Sequence, residues 1–144
     1  MEAKQIHEES GQKTFALVFD TGDEVVEGLR GFARDNDLDA ASLTAIGAFS
    51  DATLGYFDIQ KKEYEKIPVG EQVEVLSLVG DIALKGDEPQ LHAHVVVGKR
   101  DGAAMGGHLL EAHVRPTLEV VLVESPEHLR KSTDPETGLA LIDL

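Results

Sequence analysis

His92 and His94, in Leu91-His92-Ala93-His94-Val95-Val96-Val97, are the residues of this chain best suited to chemistry. The segment has the branched, apolar character of a β-strand, and side chains two apart on a strand point to the same face. The two imidazoles therefore project together. Leu91, Ala93, Val95 and Val97 form the opposite, apolar face, which belongs in a core. Paired neutral imidazoles on a rigid strand can hold a divalent metal, and a third imidazole completes a three-histidine site with one open position. His108, in Gly106-Gly107-His108, comes within reach if the chain folds back as a hairpin. His113 has the opposite parity on a regular strand and would need a bulge to join.

The same pair also reads as two polar residues on an exposed strand face, and these residues alone leave both readings open. A third use is general-base catalysis, since imidazole titrates near neutrality. That use needs a partner. Glu119 is the candidate, because it sits among Leu118 and Val120-Val121-Leu122-Val123, where a buried carboxylate is costly unless paired. It could orient a ligating His, or it could face solvent. Gly106 and Gly107 allow close backbone approach to a ligand or anion, or a tight turn before His108. His7 and His128 lie in surface segments. No helix follows Gly106-Gly107, so that pair lacks the strand, glycine-rich loop and helix order that nucleotide phosphates require. Ser50, Asp51 and Ser77 lack a nucleophile-elbow setting.

Composition bounds the chemistry further. The chain has 144 residues, of which 42% are hydrophobic, enough for one globular domain spanning 1–144 with its core over about 13–124. There is no cysteine, so disulfides, thiolate ligands and thiol nucleophiles are excluded. No apolar run spans a bilayer. Met1-Glu2-Ala3-Lys4-Gln5 lacks the basic-then-apolar pattern of a secretory signal, so a cytoplasmic location is expected. The formal net charge is −14. DNA binding draws its affinity from clustered Lys and Arg, so this charge disfavours DNA as a partner.

The elements that must position these residues follow from pattern. Lys13 to Asp20 is a strand. Thr21 with Glu24 has the spacing of a capping box, and Val25, Leu29, Phe32 and Ala33 mark one apolar stripe of a helix ending near Asp35-Asn36. Ser42 to Ile46 and Asp51 to Ile59 read as two strands around a turn or bulge at Gly47. Glu63 to Val69 reads as an edge strand, because Pro68 cannot donate to a ladder. Gln72 to Leu84 is one bent strand or two, and Lys85 to Pro89 a turn. Gln90 to Gly98 is the histidine strand, and Lys99 to Gly107 a loop. His108 to Val114 is a short strand, Pro116 punctuates, and Thr117 to Glu124 is a central strand. Residues 125–138 read as a polar loop with two prolines, and Leu139 to Ile142 as a possible last strand. One helix with six or more strands implies an α+β fold, a mixed and largely antiparallel sheet. One helix cannot cover a wide sheet, so the rest must curl into a barrel-like form or meet another subunit.

Leu91-His92-Ala93-His94-Val95, Gly106-Gly107-His108-Leu109 and Thr117-Leu118-Glu119-Val120-Val121 together resemble the PPC (plants and prokaryotes conserved) domain. Gly22-Asp23-Glu24-Val25, Ala45-Ile46-Gly47-Ala48, Leu54-Gly55-Tyr56-Phe57 and Glu74-Val75-Leu76-Ser77-Leu78-Val79-Gly80 agree in the same order, from about Phe15 to Val123. The resemblance implies a homotrimer. It also implies a metal held by His92, His94 and His108, with zinc the expected ion and an open position for water or a small anion. Plant members join this domain to AT-hooks, and prokaryotic ones are often described as predicted DNA-binding proteins. This chain has no Arg-Gly-Arg-Pro core. The rival expectation is a regulatory or scaffolding module whose trimer recruits DNA or proteins, the metal being structural or absent.

Overall fold

The apolar stripe Val25, Leu29, Phe32 and Ala33 forms helix α1 (Val25–Asp35), and all four side chains are buried. The cap differs from the expected one. Glu24, not Thr21, is the N-cap: its carboxylate accepts from the backbone N–H of Val26 at 3.2 Å and of Glu27 at 2.6 Å. Thr21 is drawn away, its hydroxyl donating to the Pro116 carbonyl. A carboxylate among the free N–H groups of a first turn satisfies them and suits the helix dipole. Phe32 meets Phe15 edge-on at 5.2 Å, which ties α1 to the sheet.

The computed structural model describes residues 1–125 and 127–144. Its strands are β1 (Glu2–Glu9), β2 (Gln12–Asp20), β3 (Ala40–Asp58), β4 (Glu63–Val69), β5 (Val73–Lys85), β6 (Glu88–Gly98), β7 (Ala104–Glu124), β8 (Arg130–Thr133) and β9 (Ala140–Asp143). They form one mixed sheet, antiparallel except where β8 lies parallel to β5. With one helix among the described residues, this is the expected α+β architecture. Antiparallel pairings of β3 with β5, β5 with β6, β6 with β7 and β7 with β3 close into a ring. The inward faces, among them Leu43, Phe49, Leu54, Leu78, Val95, Val97, Leu118 and Leu122, make the core.

Several strands run further than their sequence punctuation indicates. The two expected strands around Gly47 are one, β3, with register shifts on either side of that glycine. Gly47 has φ +152°, and a Cβ there would run into the Thr117 carbonyl. Likewise β7 passes through Pro116. Its register against β3 jumps from Gly47 opposite Leu118 to Phe49 opposite Val114, so the proline sits in a bulge that asks no ladder N–H of it. The expected loop from Lys99 to Gly107 shrinks, because β7 already starts at Ala104. The turn expected over Lys85 to Pro89 narrows to Gly86 and Asp87.

Two strands arise where none was expected. β1 is exposed along its whole length, so it carries no hydrophobic alternation. β8 lies inside the expected polar loop and pairs with β9 as a hairpin. Of the two prolines in that loop, Pro126 lies outside the described residues.

One outer face of the sheet remains apolar. Val18, Ile46, Leu76, Val79 and Val121 are each exposed and line a shallow concavity of about 510 Å³. Ile46 is 62% exposed, high for an isoleucine on a central strand.

Candidate metal centre

Strand β6 joins β5 to β7, and that junction gathers the histidines. In the ladder His92 lies opposite Asp81, and His94 lies opposite Val79 on one side and His108 on the other. Residues directly opposed in a ladder share a face, so His94 and His108 point the same way. His92 joins them two residues along the strand. One ligand atom from each ring can be chosen so that all three lie within 4.8 Å of one another.

The three rings form a group that could hold a metal ion. Nε2 of His92 stands 3.3 Å from Nε2 of His94. Two nitrogens bound tetrahedrally at about 2.0–2.1 Å from zinc stand about 3.3–3.4 Å apart. The His108 ring lies 5.3 Å from that of His92 and 5.5 Å from that of His94, the latter at 87°. Nδ1 of His108 is buried with no hydrogen-bond partner among the described residues.

Neighbouring elements hold the rings in place. Tyr64 of β4 stacks on His108 at 4.6 Å and 25°. Gly55 makes room for it: a Cβ at Gly55 would stand 2.8 Å from the Tyr64 ring. Behind His92, the Asp81 carboxylate approaches Nδ1 at 3.4 Å. The other oxygen of Asp81 pairs with the Lys131 ammonium at 2.7 Å.

Burial favours the neutral form that a metal requires at two of the imidazoles, His108 and His92. Desolvation pushes His108 down to about 4, with the neighbouring His92 and His94 adding to the effect. Desolvation also lowers His92, although Asp81 opposes it.

The other expected residues stand elsewhere. Glu119 is opposite Val18 and Ile46 and exposed, while its neighbours Leu118 and Val120 are buried. Strand alternation turns it away from the core, so it needs no buried partner, and it orients no histidine. The carboxylate beside the cluster is Asp81. Gly106 and Gly107 form no turn before His108. They lie within β7, where a Cβ on Gly106 would stand 2.8 Å from the Val95 carbonyl and one on Gly107 2.8 Å from the Gly55 carbonyl. Close strand approach is what they permit.

His113 does not join the cluster. Its Nδ1 lies 2.8 Å from the Asp51 carboxylate, which holds its pKa above the ordinary value. Ser50 donates to that same carboxylate at 2.8 Å rather than to the imidazole, so no serine is activated there. His7 and His128 are exposed, each facing a carboxylate. Asp81 and Lys131 were missed in the sequence. Asp81 lies inside the segment from Gln72 to Leu84 that reads as one bent strand or two, and Lys131 inside the expected polar loop of residues 125–138.

Comparison with known proteins places the chain. It is 34% identical over 120 residues to the Bifunctional protein GlmU of Synechococcus sp. (strain JA-3-3Ab), spanning 18% of that protein. The chain thus covers less than a fifth of this curated relative. The solved structure of the metal-containing protein AF0104 from Archaeoglobus fulgidus superposes with a TM-score of 0.84 at 39% identity, over 92% of this chain and 94% of that one. A "putative dna binding protein" from Bacteroides thetaiotaomicron VPI-5482 superposes with a TM-score of 0.89 at 28% identity, over 99% of this chain and 96% of that one. The Plants and Prokaryotes Conserved (PCC) domain matches residues 6–126, and the chain belongs to that family, the PPC family of the resemblance above.

Proposed function

We propose that this is a cytoplasmic, homotrimeric metal protein that holds zinc on His92, His94 and His108. The observation that carries the reading is the 3.3 Å separation of the two Nε2 atoms, the edge of a zinc-centred tetrahedron. A relative described as metal-containing, 39% identical, supports it. So does the desolvation of His108, which favours the neutral ring whose lone pair an ion needs. A divalent ion held by three imidazoles supplies Lewis acidity, with a fourth position for water or a small anion. The chain's own contribution is to fix three rings on paired strands, pack Tyr64 against one, and place a carboxylate behind another.

The trimer rests on the apolar outer face. Exposed contiguous apolar surface on a central part of a sheet marks an interface, and β3, β5 and β7 offer it together. No helix among the described residues is long and apolar enough to cross a membrane.

Zinc titration of chelator-treated protein tests the reading. One equivalent per chain should bind, and His94→Ala should lose it. Binding that is absent, or that survives the substitution unchanged, would sink it.

A further inference from the structure

Among the described residues, Lys131 is the buried charged side chain, its side chain 3% exposed. Burying an ammonium is costly unless it is paired and held in good geometry. Its partner is Asp81 at 2.7 Å. The carrier is slight: β8 is a four-residue strand that meets β5 at a single ladder pair, Leu84 opposite Arg130. The Leu84 N–H also donates to the Leu129 carbonyl, and the Arg130 guanidinium to the Gly86 carbonyl. A short hairpin thus delivers a cation into the sheet behind the histidine cluster.

What that cation touches gives it a role. Asp81 has two oxygens, one on Lys131 and the other facing Nδ1 of His92 at 3.4 Å. An ionised carboxylate held there favours a proton on Nδ1, and its fixed position favours one ring orientation. Nε2 is then left with its lone pair, and Nε2 is the atom that faces His94. Histidines that bind metals characteristically give their other N–H to such an acceptor. Without Lys131, Asp81 loses its ion-pair partner.

We infer that Lys131 is a positioning residue for the metal centre: through Asp81 it fixes the tautomer and orientation of His92, and so links docking of the β8–β9 hairpin to metal binding. The inference rests on the reading that the three histidines hold the ion. Linkage is reciprocal, so metal should in turn protect the hairpin.

The experiment uses the full chain with Lys131→Met, Lys131→Arg, Asp81→Asn and, as control, Lys61→Met at an exposed lysine. Zinc affinity is read by chelator competition. The tautomer of His92 is read by ¹⁵N NMR of the metal-free protein, and hairpin protection by hydrogen exchange with and without zinc. Lys131→Met and Asp81→Asn should each weaken zinc binding by about 10–100-fold, the range for residues behind a metal ligand. Lys131→Arg should recover most of it, and Lys61→Met should match wild type. The Nδ1–H tautomer should dominate in wild type and become mixed in Lys131→Met. Zinc should slow exchange over β8 and β9. Unchanged zinc affinity in Lys131→Met and Asp81→Asn would overturn the inference. So would a His92 tautomer population that is the same with and without Lys131. Should Lys131→Met fail to fold, Asp81→Asn carries the same comparison. Should wild type itself take up no zinc, the metal reading falls, while the tautomer comparison still judges the Lys131–Asp81–His92 link.

Discussion

His94 and His108 stand directly opposite each other on β6 and β7, their rings 5.5 Å apart and nearly perpendicular at 87°. The site therefore depends on strand register. A one-residue slip of β7 against β6 would turn His108 to the opposite face. The glycines that precede His108 let the three strands approach closely enough to hold that register.

Gly107→Ala should accordingly destabilise the protein. The added Cβ would meet the Gly55 carbonyl at 2.8 Å, and a backbone oxygen between paired strands cannot swing aside. A loss of about 1–3 kcal/mol is expected, read as a lower urea midpoint at unchanged slope. Gly31→Ala in α1, where a Cβ meets nothing within 4 Å, should instead stabilise by about 0.5–1 kcal/mol. Equal midpoints for the two variants would contradict the packing argument.

The acid behaviour of the metal-free protein should carry the signature of His108. Its folded pKa is about 4, below the ordinary histidine value near 6.5 that applies to the unfolded chain. Between those values the unfolded chain binds the extra proton, so stability falls as pH is lowered from 6.5 towards 4. Above 6.5 and below 4 this group contributes no slope. Carboxylates titrate nearby, so the readout is the difference in urea stability between wild type and His108→Asn across pH 4–8. Parallel curves would show that His108 is not desolvated in solution.

Ile46→Glu should break self-association. The side chain is exposed on the apolar face and opposite Glu119, so the substitution adds a charge beside a like charge. Light scattering should give a trimer for wild type and a smaller species for the variant, with zinc binding by the variant checked in parallel. A wild-type protein that is monomeric at micromolar concentration would remove the trimer from the account.

The legible parts of this molecule were those in which burial alternates with a short period. Ala93, Val95 and Val97 are buried and His92 and His94 are not, so parity alone set the imidazoles on one face. The stripe of α1 was equally plain. Gly47 and Pro116 looked like strand ends because bulges use the same residues as turns. Glu119 reads equally as a partner for a histidine or as a solvent-facing residue, because apolar neighbours do not show parity; alternation exposes it. β1 has no buried face and so gave no pattern. Asp81 and Lys131 meet through β8 lying parallel to β5, a pairing between distant segments that no local spacing encodes.

DNA should not be retained at physiological salt. The chain carries 13 basic and 27 acidic residues, and phosphate neutralisation is the main source of non-specific affinity. A mobility shift that persists at about 150 mM salt on unrelated duplexes would favour the regulatory reading instead.

Anomalous diffraction at the zinc edge, from crystals grown with equimolar zinc, tests the central claim most directly. One peak per chain is predicted, about 2.0–2.1 Å from a ring nitrogen of each of His92, His94 and His108. A map with no peak among these rings, or with the ion elsewhere on the chain, would contradict it.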